Sequence, residues 1–226
     1  MTAEPAPPLP GAGDREILAA CLHEVSTDLL RDEAYLSALD RAIGDGDHGS
    51  NVARAAHALL DAQAGLLDLP IGQALEKAGL IIVMSVGGAS GPLYGSLLMA
   101  MGKAWCEPSR MGTHAEAVSK GVEAVGRRGR STIGEKTMLD VLEPAARALH
   151  ASAGAPLETR LAAMCEAADS GLEATRPLKA TKGRAAYVGE RSVGHLDPGA
   201  ASARLCIHAA ARAIGHVAAL RMASAR

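Results

Sequence analysis

Phenylalanine is absent from the 226 residues, and aromatic side chains of any kind make up only 2%. A chain so poor in rings offers no stacking platform for single-stranded nucleic acid. It lacks a basic excess too. The net charge of −2 leaves no electrostatic footprint for a phosphate backbone. There is no run of about 18 apolar residues and no secretory apolar segment, so the expectation is a chain with no membrane role, in the reducing cytoplasm. The cysteines Cys21, Cys106, Cys165 and Cys206 are scattered without a CxxC pair, which argues against a zinc cluster. Three of them fall at helical apolar positions, as buried thiols do. Alternating β-type runs are nearly missing as well.

What remains is an apolar content of 48%, carried by Ala, Leu, Val, Ile and Met. Such side chains suit close-packed helices, and the length suits one domain. Residues 1–13 are rich in Pro and Gly and read as a flexible arm; 14–226 form the folded domain, with Asp14 as a candidate cap. The stripe Ile17, Leu18, Cys21, Leu22, Val25, Leu29, Leu30 has helical spacing, and a short continuation runs from Asp32 or Glu33 to Asp40. After a Gly-rich break at 44–49, helices are expected over Val52–Leu60, from Ile71 to a stop at Gly87-Gly88, and over Leu93–Trp105, His114–Val125, Met138–Ala151, Leu157–Ala174 and Ala200–Ala223. The fold class is all-α, an antiparallel bundle or barrel of about eight helices. Loops 40–51, 85–92, 127–137 and 180–199 hold the unusual residues. In an antiparallel arrangement they can meet at one rim, where a site is expected.

Asp40, Asp45 and Asp47 place three carboxylates on a Gly-hinged turn, a donor set for a hard cation. Gly44-x-Gly46-x-x-Gly49 matches a dinucleotide pattern, but no strand precedes it and the aspartates repel a bare pyrophosphate. A metal ion reverses that sign. An EF-hand requires a bidentate Glu where Ala56 stands. Gly87-Gly-Ala-Ser-Gly-Pro92 fits either a phosphate cradle or a plain helix–helix turn, and a helix N-terminus can be both. Gly129-Arg-Ser-Thr-Ile-Gly-Glu-Lys136-Thr137 has one residue too many for a Walker A loop, and no βαβ setting. Met138 can pack on an adenine face. Lys136 fits a phosphate or an acidic partner equally, and Asp140 fits a first-turn acid. The long segment 182–199 carries Arg184, Tyr187 and Val188, and Asp197 with Pro198 forms a helix start. His195 carries little weight by itself.

The stretches LDRAIGDGDHGSN, GGASGPLYG, GEKTMLD and GRAAYVGERSVGHLDPGA occur in this order, and together they resemble the nucleotide-binding L subunit of bacterial dihydroxyacetone kinase. The resemblance runs from about residue 14 to the end. It implies an eight-helix barrel with ADP or ATP and two magnesium ions at one rim. Asp40, Asp45 and Asp47 would hold magnesium. His48, Gly49, Ser50, Asn51, Ala89 and Ser90 would contact phosphates. Gly129 and Met138 would line the adenosine, and Arg184 with Asp197, Pro198 and Gly199 would complete the pocket. The family commonly reads GDKTM, and Glu135 departs from it. The resemblance also implies a sugar-binding kinase subunit that holds a short ketose, and in some members a phosphohistidine partner of the phosphotransferase system; others exchange ATP. Homodimerisation is open. Alternatives are a nucleotide-loaded regulatory module for a transcription factor, or a kinase subunit for another ketose or a fatty acid.

Overall fold

The computed structural model describes residues 12–106 and 114–224. Most of the arm expected over 1–13 therefore lies outside the described residues. Its last two, Ala12 and Gly13, already belong to the first helix, which places Asp14 in the first turn rather than at a cap. The helices are α1 (Ala12–Arg31), α2 (Glu33–Ile43), α3 (His48–Asp61), α4 (Gln63–Leu67), α5 (Ile71–Ser85), α6 (Ser90–Cys106), α7 (His114–Gly129), α8 (Leu139–Ala151), α9 (Leu157–Ala174) and α10 (Pro198–Ser224). Among the described residues there is no strand. No helix among them is long and apolar enough to cross a membrane.

Eight of these helices close a ring: α1 packs on α3, α3 on α5, and so on in chain order through α10, which packs back on α1. The short α2 and α4 bridge α1 to α3 and α3 to α5. Arg212 of α10 reaches Asp28 of α1 at 2.5 Å, and Arg221 lies 3.9 Å from Glu16. The core is built largely from Ala, Leu and Val, and its main cluster includes Leu36, Val52, Val125, Met138 and Val141. Small side chains let helix axes approach and dispersion contacts accumulate. The α5–α6 seam shows this most clearly. A Cβ on Gly79 would stand 2.7 Å from the carbonyl of Gly95, and one on Gly95 would stand 2.8 Å from that of Gly79. At the α8–α9 seam, Pro144 withholds the N–H that would bond the carbonyl of Asp140. Gly171 fills the gap: a Cβ there would lie 2.3 Å from that oxygen.

Several boundaries depart from expectation. Helix α3 begins at His48, four residues before Val52, so His48, Gly49, Ser50 and Asn51 form a helical first turn and not a loop. Helix α6 likewise takes in Ser90, and α7 runs on to Gly129 rather than stopping at Val125; α10 begins at Pro198, the start that Asp197 with Pro198 suggests. The segment 180–199 contains a 3₁₀ stretch, Arg184–Ser192, kinked at Gly189. By contrast, α9 spans the residues expected of it.

Candidate functional site

The N-termini of α3, α6, α8 and α10 open onto one cleft of about 690 Å³. Helix N-termini carry partial positive charge and unpaired amides, so this end of the ring favours anions. At the start of α3 stand Asp40, Asp45 and Asp47, each offering a carboxylate oxygen within 4.8 Å of the others. Asp40 is buried, while Asp45 and Asp47 are exposed. The turn between α2 and α3 places them. The amide of Gly44 bonds the carbonyl of Asp40 at 2.5 Å, closing α2. Gly46 then reverses the chain at φ +81°, a conformation that disfavours side chains. The amide of His48 donates to Asp40 Oδ2 at 3.1 Å, tying the acid to the start of α3.

The cleft wall takes in Asp40, Asp45, Asp47, His48, Asn51, Ala89, Ser90, Gly129, Met138, Arg184, Asp197, Pro198 and Gly199. Gly49 and Ser50 are the exceptions. Gly49 faces away, under α2, where a Cβ would stand 2.1 Å from the carbonyl of Glu33. It serves as the contact point of two helices, not as the hinge its neighbours Gly44 and Gly46 suggest. The hydroxyl of Ser50 turns back to the carbonyl of Asp47 at 2.9 Å. Asn51 is fully buried and its carboxamide oxygen accepts from Arg54. Burial lowers the proton affinity of His48, against the opposing pull of Asp40, Asp47 and the carbonyl of Pro198.

The other wall is made differently. Lys136 is 1% exposed at φ +60°, and its ammonium donates to the carbonyls of Thr175 at 2.7 Å and His195 at 2.5 Å. It thus bonds backbone, neither of the partners its sequence context suggested, and burial lowers its pKa. Asp140 accepts from the amides of Gly134 at 2.5 Å and Thr137 at 2.7 Å, shaping the loop before α8. Asp197 caps α10, taking the amide of Ala200 on Oδ2 at 2.7 Å. Burial pushes its carboxyl up to about 7, with the Ala200 N–H working against that rise. Arg184 lies 3.2 Å from Asp45 across the cleft mouth, so the two walls touch there.

Several participants were not singled out from the sequence. Glu135 accepts from the amide of Thr132 at 2.8 Å, the hydroxyl of Thr181 at 3.0 Å and the ammonium of Lys182 at 3.3 Å. These bonds hold its carboxyl below the usual range, the Thr132 amide most of all. It ties loop 127–137 to loop 180–199. Tyr94 and Ser202 meet beneath His48; Tyr94 stands in the stretch GGASGPLYG but was given no role there, and Ser202 reads as an ordinary helical position. Cys21 and Cys206 have their thiols pushed up by burial, to about 11 and about 12, as inert core thiols do. A second hollow, about 520 Å³ between α7 and α8, shares Ser131 with the cleft but holds no comparable carboxylate cluster.

The model of the DAK2 domain matches residues 42–212. The ADP-binding subunit DhaL of PEP-dependent dihydroxyacetone kinase 1 from Listeria innocua is 42% identical over 200 residues, covering 87% of this chain and 95% of that one. The ADP-binding subunit DhaL of the PTS-dependent dihydroxyacetone kinase from Lactococcus lactis is 37% identical over 181 residues, 80% of this chain and 88% of that one. Among solved structures, the dihydroxyacetone kinase of C. freundii in complex with AMP-PNP and Mg2+ superposes with a TM-score of 0.72 at 26% identity over 94% of this chain. The present chain spans only 36% of that kinase. A domain match over most of the length, with relatives this similar along nearly all of theirs, shows that the chain belongs to the DAK2-domain family, the family of the ADP-binding DhaL subunits of dihydroxyacetone kinases.

Proposed function

We propose that this chain is the nucleotide-carrying subunit of a dihydroxyacetone kinase, which delivers a phosphoryl group to a short ketose held on a sugar-binding partner subunit. The observation that carries it is the pairing of Asp40, Asp45 and Asp47, clustered within 4.8 Å, with four helix N-termini around one cleft. The carboxylates by themselves repel a nucleoside diphosphate, and the helix ends by themselves do not reach divalent charge. Magnesium fits the oxygen-only donor set, and when bound it neutralises phosphate charge and spreads the charge that develops in transfer. Three carboxylates and a diphosphate supply oxygen enough for two such ions, the number we assign.

This chain's residues would then bind and orient. First-turn amides of α3 and α6 face the phosphates, with Ser90 beside them. Met138 and Gly129 form the apolar seat for the base, and Arg184 closes the mouth. The cleft is complete within one chain, so a second copy is not needed to form it. The sugar site is supplied by the partner. We assign it to a sugar-binding kinase subunit, with a phosphohistidine protein of the phosphotransferase system as the donor that reloads the nucleotide in place. The PEP- and PTS-dependence of the Listeria innocua and Lactococcus lactis relatives supports that choice over exchange of ATP.

Calorimetric titration with Mg-ADP tests the site. Asp45→Ala and Asp47→Ala should each weaken binding by about two orders of magnitude, roughly 3 kcal/mol, and the wild-type titration should report two ions per nucleotide. Unchanged binding in both variants sinks the metal reading. Mixing the chain with a matched sugar-binding subunit, and supplying either phosphohistidine protein or ATP, decides the donor.

A further inference from the structure

We infer that Ser202 is a positioning residue that sets which nitrogen of His48 carries the proton, with Tyr94 as a second donor to the same hydroxyl, holding the ring with Nε2–H toward α10 and a bare Nδ1 toward Ser90. The consequence for ligand choice rests on the nucleotide reading above, whereas the state of the ring does not.

Three helices meet at one hydroxyl. Ser202 Oγ on α10 stands 3.0 Å from the carbonyl of Gly199, 2.8 Å from His48 Nε2 on α3 and 2.7 Å from the Tyr94 hydroxyl on α6. Ser202 is 0% exposed, so water does not complete the set. A hydroxyl has one proton and two acceptor positions. The Gly199 carbonyl can only accept, so the Ser202 proton goes there. Both lone pairs of Ser202 are then left to accept, one from the Tyr94 O–H and one from His48 Nε2–H. No other placement of protons turns all three contacts into hydrogen bonds, and an unmade bond in a buried cluster costs about 1–3 kcal/mol. The carbonyl of Pro198 is a further acceptor beside the ring.

With Nε2 protonated, the neutral ring offers Nδ1 as an acceptor. Ser90 Oγ lies 3.4 Å from it. The Ser90 proton is drawn toward the ring, and an arriving ligand meets the lone pairs of Ser90 where a histidine N–H would otherwise stand. A bare phosphate oxygen gains nothing from His48 in this state. A phosphate that brings its own cation is not penalised. Ser202, which is fully buried and does not line the cleft, thereby favours metal-bound nucleotide over free nucleotide from outside the ligand's reach.

The test uses the full chain, labelled with ¹⁵N and free of nucleotide, at one alkaline pH where the ring is neutral. Long-range ¹H–¹⁵N correlations of the imidazole read the tautomer directly. The expected wild-type spectrum shows His48 as the Nε2–H form. Ser202→Ala removes the shared acceptor and should yield a mixture containing Nδ1–H. Ser202→Thr keeps the hydroxyl and should restore the wild-type form. Tyr94→Phe leaves Ser202 able to accept from the ring and should change the tautomer little. Titration with ADP, with and without magnesium, should show the preference for Mg-ADP reduced about tenfold in Ser202→Ala, near what one hydrogen bond to a charged group contributes, and recovered in Ser202→Thr. An Nδ1–H ring in the wild type overturns the inference, as does an unaltered ring in Ser202→Ala. A wild-type Nε2–H ring in a protein that binds no nucleotide leaves the ring assignment standing and removes the nucleotide reading instead.

Discussion

The two walls of the cleft use the same kinds of charged residue in opposite ways. On the α2–α3 wall, Asp45 and Asp47 are exposed and offer their oxygens to the cleft. On the α8–α10 wall, Lys136, Asp140 and Asp197 are buried, and each is bonded to backbone amides or carbonyls of the surrounding loops. The exposed charges of the first wall, Asp45 and Asp47, are available to a ligand; charges on the second are already committed to the shape of the protein. The difference teaches that a charged residue beside a binding cleft is best judged by how many of its hydrogen bonds are already made. A lysine next to a phosphate-sized space is not a phosphate ligand when two carbonyls hold it.

The sharpest way to break this contrast is to remove one charge from each wall and measure stability. Lys136→Met leaves the carbonyls of Thr175 and His195 without a donor, so urea unfolding should show a loss of about 3 kcal/mol. Asp45→Ala loses only an exposed ion pair with Arg184, and the same measurement should move by less than about 1 kcal/mol. Equal losses would erase the distinction.

A second test uses pH. The Asp197 carboxyl titrates at about 7 in the folded protein, raised from 3.8 by burial. Across the interval between these values the folded state keeps a proton that the unfolded chain has released. The resulting contribution to stability is therefore full below about pH 4 and lost as pH rises through about 7. Asp197→Asn can still accept from Ala200 and has no proton to lose, so its unfolding midpoint should fall less than that of the wild type between about pH 5 and pH 8. Parallel curves for the two proteins would show that another group controls this limb.

The smallest effect is expected at Glu135, which joins two loops through the Thr132 amide, Thr181 and Lys182. Glu135→Gln should leave the thermal midpoint nearly in place while trypsin cuts faster after Lys182. An unchanged cutting rate would mean that the tie does not restrain the loop.

Much of this architecture was legible in the sequence, because apolar periodicity reports which helix face is buried. Helix α9 begins and ends where its pattern does. The acidic cluster was legible too, since carboxylates so close in the chain are forced together by a short turn. Gly49 misled for a physical reason. Two of the three glycines in that stretch serve the turn, but Gly49 is small because the backbone of Glu33 passes against it, and that contact carries no signal within the segment itself. Lys136 was illegible in the same sense. Its partners are carbonyls at Thr175 and His195, and every residue type has a carbonyl. The rim bonds of Glu135 and the hydroxyl junction at Ser202 likewise depend on which helix ends the fold brings together.

The pairing of α1 with α10 has a consequence for how this unit can be joined to others. Helix α10 enters the cleft with Pro198 and runs for 27 residues, about 40 Å at the usual rise. Its far end carries Arg221, beside Glu16 near the start of α1. Both described ends of the chain therefore emerge side by side, a full helix length from the cleft. A linker attached at either end, or a loop spliced between them, would leave the binding end untouched. A circularly permuted version closed across Glu16 and Arg221 should therefore keep its cleft.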